Sequence, residues 1–212
     1  MKRTSPVENV CDLYEESADS YAEMMDAEID LPVYTDTLGR LARRISSISG
    51  SVVDTSCGSG HMLFRYHERF DPERPLVGLD LSPRMVVIAS TRLGSSAEIF
   101  CGDMRELSRI EPGSAAAVLS FFAIHHLDAS EVRPALEGWG RALCSGGQLL
   151  IAAWEGAGAI DYGGESDVVA LRYTRDEIAD WTEAAGFSVG RCVVEPVEGM
   201  PMDAVYLEGT RR

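Results

Sequence analysis

An α/β protein with a doubly wound, mostly parallel sheet is the fold this sequence predicts, and three observations carry it. The β-branched pair Val52-Val53 runs into Asp54, then into the turn Cys57-Gly58-Ser59-Gly60 and a helical pattern that opens at His61. A second apolar stretch, Pro75 to Leu79, ends on Asp80, twenty residues beyond Gly60. A third, Ala97 to Cys101, runs into Gly102-Asp103-Met104. Strand, turn and helix repeated in this way build parallel sheets, because each parallel pair needs a crossover connection.

The elements follow in order. Val10, Leu13, Tyr14, Ala18, Tyr21, Ala22 and Met25 recur near helical spacing among acids, which predicts a helix over 7–30 laid against the open end of the sheet. Pro32 interrupts it, and Leu38, Leu41 and Ile45 share one face of a second helix that Gly50 ends. Gly58 and Gly60 leave room where a Cβ would meet a ligand and adopt φ > 0 at little cost. That unit lets backbone approach a nucleotide-like ligand. The helix from His61 carries Leu63, Phe64, Tyr66, His67 and Phe70. Asp80, where its strand runs out, can accept both hydroxyls of a ribose. Ser82 and Pro83 start the next helix as cap and first-position proline.

Ala115 to Phe121 is an unbroken apolar run of strand length, and Phe122 to Asp128 lies at its C-terminal end, where ligands bind in such sheets. Val132, Leu136, Trp139 and Leu143 predict a helix capped by Asp128 or Ser130, with Pro134 near its start. Gly146-Gly147 is expected to stop it and feed a fifth strand, Gln148 to Ala153, with Trp154 and Glu155 just past its end. The glycine-rich stretch 156–164 reads as a mobile loop. Thr174 and Glu177 form a capping box before a helix whose inner face holds Ile178, Trp181 and Ala185 and which Gly186 ends. Ser188 to Val194 and Asp203 to Leu207 are the last two strands.

With 212 residues, 45% of them hydrophobic, the chain is long enough for one globular domain with a full core. Its expected parts are a helical N-terminal segment (1–48), a half that carries the turns (51–155), and a closing loop, helix and strand pair (156–212). A formal charge of −15 speaks against a nucleic-acid partner, since phosphate affinity needs clustered Lys and Arg. Five cysteines (Cys11, Cys57, Cys101, Cys144 and Cys192) form no C-x-x-C pair, and no apolar run reaches membrane-spanning length. Reduced thiols, a cytoplasmic location and no membrane contact are the expectation.

Taken together, D-T-S-C-G-S-G (54–60), G-L-D-L-S-P-R-M (78–85), C-G-D-M (101–104) and G-G-Q-L-L-I (146–151) resemble the class I S-adenosylmethionine-dependent methyltransferases over residues 45–212. A Rossmann dehydrogenase would show a third glycine where Leu63 stands. The family's more usual glycine is replaced here by Ser56. The resemblance implies a Rossmann-like, seven-stranded sheet with an antiparallel last strand, N-terminal lid helices, and S-adenosylmethionine as cofactor. Asp54, Ser56, Cys57, Gly58 and Gly60 would shape the methionine end of its site. Asp80 would bind the ribose, with Leu81, Ser82 and Met85 along the adenosine. Gly102, Asp103 and Met104 would meet the adenine, and Ser120 and Phe121 the sulfonium end. On the lid, Tyr14 and Tyr21 are substrate-pocket candidates, joined by Trp154 and Tyr173. No metal is implied, because the aspartate near strand four and the later Asp-Asn pair of metal-using relatives are missing.

Methyl transfer from a sulfonium is an in-line displacement whose leaving group becomes neutral, so holding nucleophile and methyl carbon in line supplies most of the catalysis. His125 and His126 are the only paired imidazoles. His126 is the expected general base, at a pKa suited to neutral pH, and His125 the expected packing partner. Cys57 sits in a glycine turn beside a helix start that would lower its pKa, though relatives hold cysteine there without covalent chemistry. The expected function is methyl transfer to oxygen or nitrogen of a small, secondary-metabolite acceptor by a monomer or homodimer. Carbon methylation of a quinone-like ring and a cofactor-sensing protein without turnover are the alternatives.

Overall fold

The computed structural model describes residues 3–160, 167–197 and 200–212. Its helices are α1 (Val7–Glu28), α2 (Pro32–Ile45), α3 (His61–Arg69), α4 (Pro83–Leu93), α5 (Ala129–Ala142) and α6 (Arg175–Ala184). Its strands are β1 (Ser51–Asp54), β2 (Leu76–Asp80), β3 (Ala97–Cys101), β4 (Ala115–Phe121), β5 (Leu143–Trp154), the short β6 (Gly158–Ala159) and β7 (Leu171–Arg172), β8 (Phe187–Pro196) and β9 (Asp203–Arg211). The main sheet runs β3-β2-β1-β4-β5-β9-β8. Its first five strands are parallel, and β9 inserts antiparallel to both β5 and β8. The expected seven-stranded sheet is therefore present, with its order reversing between β1 and β4. At such a switch point the loops diverge to opposite faces and leave a crevice above the strand ends.

Period-two alternation divides the core between the two faces. Val52 and Leu119 face α2 and α3, with Leu41, Leu63 and Tyr66. Val53 and Val118 face α5, with Leu136 and Trp139. All but the last residue of β4 are buried, as a strand covered on both sides requires. Each fully buried leucine here contributes roughly 1.5–3 kcal/mol. Arg74 joins the elements before β1. Its guanidinium donates to the carbonyls of Ile45, Ile48 and Gly50, in the last residue of α2 and the turn that leads from it into β1.

Two sequence expectations need correction. Gly146-Gly147 does not end the fifth helix, which stops at Ala142, and Leu143 already turns extended. The glycines form an excursion within β5, where pairing jumps from Ala115–Leu143 to Ala117–Gln148 and Gly146 takes φ +76°. The stretch after Gly156 is also not all loop, because Gly158–Ala159 pairs antiparallel with Leu171–Arg172. Residues 161–164 of that expected loop lie outside the described residues. Among the described residues, no helix is long and apolar enough to cross a membrane.

Candidate functional site

The glycine turn is held from three sides. Cys57 N–H donates to the Leu79 carbonyl at 2.9 Å, and Thr55 N–H to that of Leu119 at 3.0 Å. Gly60 caps α3 at φ +82°, and a Cβ there would lie 3.1 Å from Ala89 and Leu93 of α4. Gly58 N–H donates to Asp80 Oδ2 at 2.8 Å, and Ser82 N–H to Asp80 Oδ1 at 3.0 Å. Each Asp80 oxygen keeps further acceptor capacity. Burial raises the Asp80 pKa, and these two N–H bonds oppose the rise. Asp54 lies deeper. Burial pushes it up to about 7, against the N–H of Ser56 and with the charge of Asp80 adding to the rise.

Above the turn opens a cleft of about 560 Å³. Its walls take Tyr14 and Tyr21 from α1, Ser56 and Gly58 from the turn, and Asp80, Leu81 and Met85 from the second unit. Gly102, Met104, Phe121 and His126 complete the expected residues that line it. A second cavity of about 390 Å³ shares Tyr21, Ser56 and Phe121 with the first and reaches Asp54, Cys57, Ser59 and His61. Val10, Thr55, Phe122 and Ala123 line the cleft without having been singled out from the sequence. Val10 belonged to the apolar stripe of α1, Thr55 to the glycine-turn motif, and Phe122 and Ala123 to the stretch at the end of the fourth strand where a ligand was expected, without any of them being named as a site residue.

Several expected residues stand back from these walls. Gly60 packs against α4, and Ser82 caps it, accepting from Met85 N–H at 3.1 Å. Ser120 is buried within β4, its hydroxyl without a partner. Asp103 faces a neighbouring cavity of about 800 Å³, where Arg105 Nε reaches both carboxylate oxygens at 3.0 Å. Trp154 lies behind Phe122, ring centroids 4.7 Å apart. Tyr173 donates its hydroxyl to the Leu127 carbonyl and packs edge-on against Trp181, away from the cleft. Cys57 is buried and its thiol is pushed well above the ordinary value, the reverse of the lowered pKa that a helix start suggested. The thiol packs where Gly78 leaves space, since a Cβ on Gly78 would sit 3.0 Å from Sγ.

Tyr14 and His126 meet in the cleft. The tyrosine oxygen lies 2.9 Å from Nε2, and the rings cross at 88°. His125 lies beside it, 4.1 Å between centroids with the ring planes tilted by 56°, and is itself buried. Burial lowers the His126 pKa to about 4, below the near-neutral value expected from sequence. Its imidazole is therefore neutral at physiological pH. Nδ1 is buried without a partner. Buried N–H groups without acceptors are rarer than buried bare acceptors, so the proton belongs on Nε2, which donates to the tyrosine oxygen. Phe122, next to this pair, has φ +49°, the one positive value at a non-glycine among the described residues. For a bulky side chain that conformation costs of order 1–3 kcal/mol, and such strain clusters at ligand sites.

The polar groups present suit a nucleoside that carries a cationic amino-acid arm. Asp80 offers acceptors to ribose hydroxyls, and the buried hydroxyl of Ser56 lacks a partner. Asp54 is a buried carboxyl that forms no ion pair among the described residues, so a cation there would relieve its desolvation. Among the described residues no cluster of His, Cys, Asp and Glu could hold a metal ion.

Residues 52–147 match the family described as Methyltransferase domain. A stretch of 118 residues is 32% identical to a dTDP-3-amino-3,6-dideoxy-α-D-glucopyranose N,N-dimethyltransferase from Streptomyces fradiae, covering 55% of this chain and 44% of that one. The matched stretch thus spans less than half of that curated relative. The fold is shared with the [4+2]-cyclase SpnF (TM-score 0.76, 14% identity, 99% of this chain and 98% of that chain). It is also shared with the 1,6-didemethyltoxoflavin-N1-methyltransferase of Burkholderia thailandensis, solved with 1,6-didemethyltoxoflavin and S-adenosylhomocysteine (TM-score 0.75, 17% identity, 100% and 92%). An amino pentose methyltransferase from Micromonospora echinaspora, solved with S-adenosylmethionine, superposes at TM-score 0.62 with 22% identity over 84% of this chain and 92% of that one.

Proposed function

We propose that the chain is a class I S-adenosylmethionine-dependent methyltransferase that methylates nitrogen or oxygen of a small, phosphate-free molecule bound beneath α1. The observation that carries this reading is the Tyr14–His126 pair, which lies in the same cleft as Asp80. S-adenosylmethionine, when bound, supplies an electrophilic methyl group. Asp80 would accept from its ribose, Leu81, Met85 and Met104 would border the adenosine, and Asp54 would face its cationic end.

The chain's own residues then act chiefly by orientation. With His126 Nε2–H donating to it, the Tyr14 hydroxyl is held in the cleft, where it would meet an N–H or O–H of the acceptor and aim the acceptor's own lone pair. As the new bond forms, that hydrogen becomes acidic. With Nε2 already carrying the ring proton, His126 takes none through the tyrosine oxygen; the pair orients the acceptor, the proton leaves to solvent after transfer, and a neutral acceptor suits the arrangement best.

Charge narrows the acceptor further. Among the described residues that line the central cleft there is no Arg or Lys; in the neighbouring cavity Arg105 is already paired with Asp103 and Glu131, and Arg3 shares the lining with Asp103, Asp128 and Glu131. A diphosphate would enter acidic surroundings uncompensated. The acceptor class therefore differs from that of the Streptomyces relative, named for a dTDP-linked sugar. The test is a screen with methyl-labelled S-adenosylmethionine against uncharged aromatic amines and phenols beside dTDP-amino sugars. Label is expected only in the first group. Transfer to a dTDP-amino sugar would overturn the acceptor class, and labelled carbon would replace nitrogen or oxygen with the ring-methylation alternative.

A further inference from the structure

A second chain of polar side chains runs from α1 into the glycine turn. Ser59 Oγ lies 2.6 Å from His61 Nδ1, and His61 Nε2 lies 2.9 Å from Asp26 Oδ1. A carboxylate only accepts, so Nε2 carries the ring proton. In the neutral imidazole Nδ1 is then a bare acceptor, and the Ser59 hydroxyl donates to it. Burial of His61 favours this neutral form, with Arg92 and Arg65 acting in the same direction and Asp26 against. The hydrogen-bond directions are fixed along the whole chain.

Arg92 of α4 closes the figure. Its Nη2 lies 3.0 Å from Asp26 Oδ1, and its Nε donates to the Ser59 carbonyl at 3.0 Å. Asp26, in the last turn of α1, is thus bound twice, and both bonds end on Ser59. One reaches the serine hydroxyl through the imidazole and the other its carbonyl through the guanidinium. Ser59 stands between Gly58, whose N–H holds Asp80, and Gly60, which is pressed against α4. Farther along α1, Glu15 accepts from the Ser82 hydroxyl at 2.7 Å and from Arg84 N–H at 2.8 Å. Tyr14 and Tyr21, which roof the cleft, lie on the helix between or beside these anchors.

We propose that His61 is a positioning residue that couples α1 to the shape of the cofactor turn, so that the helix stays closed over the cleft while the turn holds its ligand. This rests on the methyltransferase reading. A shift of Ser59 when the turn fills or empties alters the acceptor geometry at both ends of the relay, and Asp26 is then held or released. Asp26 is a suitable lever because its side chain is 58% exposed, so changing it leaves no buried void.

The experiment measures stopped-flow release of S-adenosylhomocysteine from the full chain, with amide hydrogen exchange across α1. The proteins are the unaltered chain, Asp26→Asn, His61→Gln and the double variant, and the Tm of each ligand-free protein is recorded alongside. Release should quicken about 2- to 5-fold in each single variant, as expected for loss of one partly exposed pair. Exchange near residues 21–28 of the complex should rise, while the ligand-free Tm of Asp26→Asn changes little. The double variant should be no faster than either single one, because both break the same relay. Unchanged release in Asp26→Asn and His61→Gln, or effects that multiply in the double variant, would overturn the coupling. Failure of the unaltered chain to bind S-adenosylhomocysteine would overturn the methyltransferase reading, and this inference with it.

Discussion

Asp80→Asn keeps the side chain's shape and changes what it can accept. Both carboxylate oxygens already receive a backbone N–H, from Gly58 at 2.8 Å and Ser82 at 3.0 Å. An amide has one oxygen. Whichever way it turns, its NH₂ faces one of those donors, and a buried N–H loses its acceptor at a cost of about 1–3 kcal/mol. Part of that cost falls on the ligand-free chain, offset by removal of a charge that burial disfavours. In the complex the amide also has one fewer acceptor for the ribose. Affinity for S-adenosylhomocysteine should therefore drop about 5- to 150-fold. A destabilisation of about 1 kcal/mol would lower Tm by roughly 2–4 °C in a domain of this size. Isothermal titration calorimetry beside a thermal melt separates the two effects. Affinity within twofold of the unaltered protein would refute the assignment of Asp80 to the ribose, and tight NAD binding would refute the cofactor.

Asp54, raised to about 7 by burial, supplies a pH prediction. Its folded pKa exceeds the unfolded value near 4, so the stability it contributes is complete below about pH 4 and lost as pH rises through 7. The ligand-free chain should melt lower at pH 8 than at pH 5 on this account, and Asp54→Asn should flatten the difference. A cationic ligand end beside Asp54 should also expel protons on binding near pH 6.5, seen as buffer-dependent calorimetric heats; heats independent of buffer would contradict it. For His126→Ala, turnover should fall about 10²-fold with cofactor affinity nearly unchanged. Because the His126 pKa lies near 4, the unaltered enzyme should show no inflection from this group between pH 6 and 9, and one that disappears in the variant would count against the orienting role. Finally, the charge of −15 predicts no submicromolar binding of tRNA or DNA at physiological salt by fluorescence anisotropy.

The fold was legible where a local rule and the tertiary environment agree. Ala97–Cys101 and Ala115–Phe121 are strands with the ends their apolar runs imply. Thr174 and Glu177 form the capping box, and Asp128 with Glu131 forms another at α5. The reading slipped where two signals of equal local strength compete. Gly146-Gly147 is a good helix terminator, but Trp139 and Leu143 bury completely, and Leu143 does so as the first strand residue. Arg74, which ties off the end of α2, gave no sign in the sequence because its three carbonyl partners come from a segment more than twenty residues away.

At the site, the legible residues are those whose task is done by backbone geometry. Gly58 and Gly60 take positive φ, and Asp80 sits at a strand end, so spacing alone announces them. What distinguishes this cleft from others on the same fold depends on pairs that no local pattern records. Tyr14 and His126 are separated by 112 residues, and Asp26 and His61 by 35. Both pairs are made by α1, which crosses the open end of the sheet and brings Tyr14 and Tyr21 to the cleft and Asp26 to the turn. The same fold serves a [4+2]-cyclase as well as methyltransferases, which is intelligible if the sheet supplies the cleft and the covering helix supplies the selection. An in-line displacement to a neutral leaving group asks little of fixed charges. Selection then falls to wall shape, to the absence of Arg and Lys among the described residues of the cleft, and to the one hydroxyl–imidazole pair within it. Substitutions on α1 that face the cleft should therefore change which acceptor is methylated, while substitutions at the strand ends change whether the cofactor binds at all.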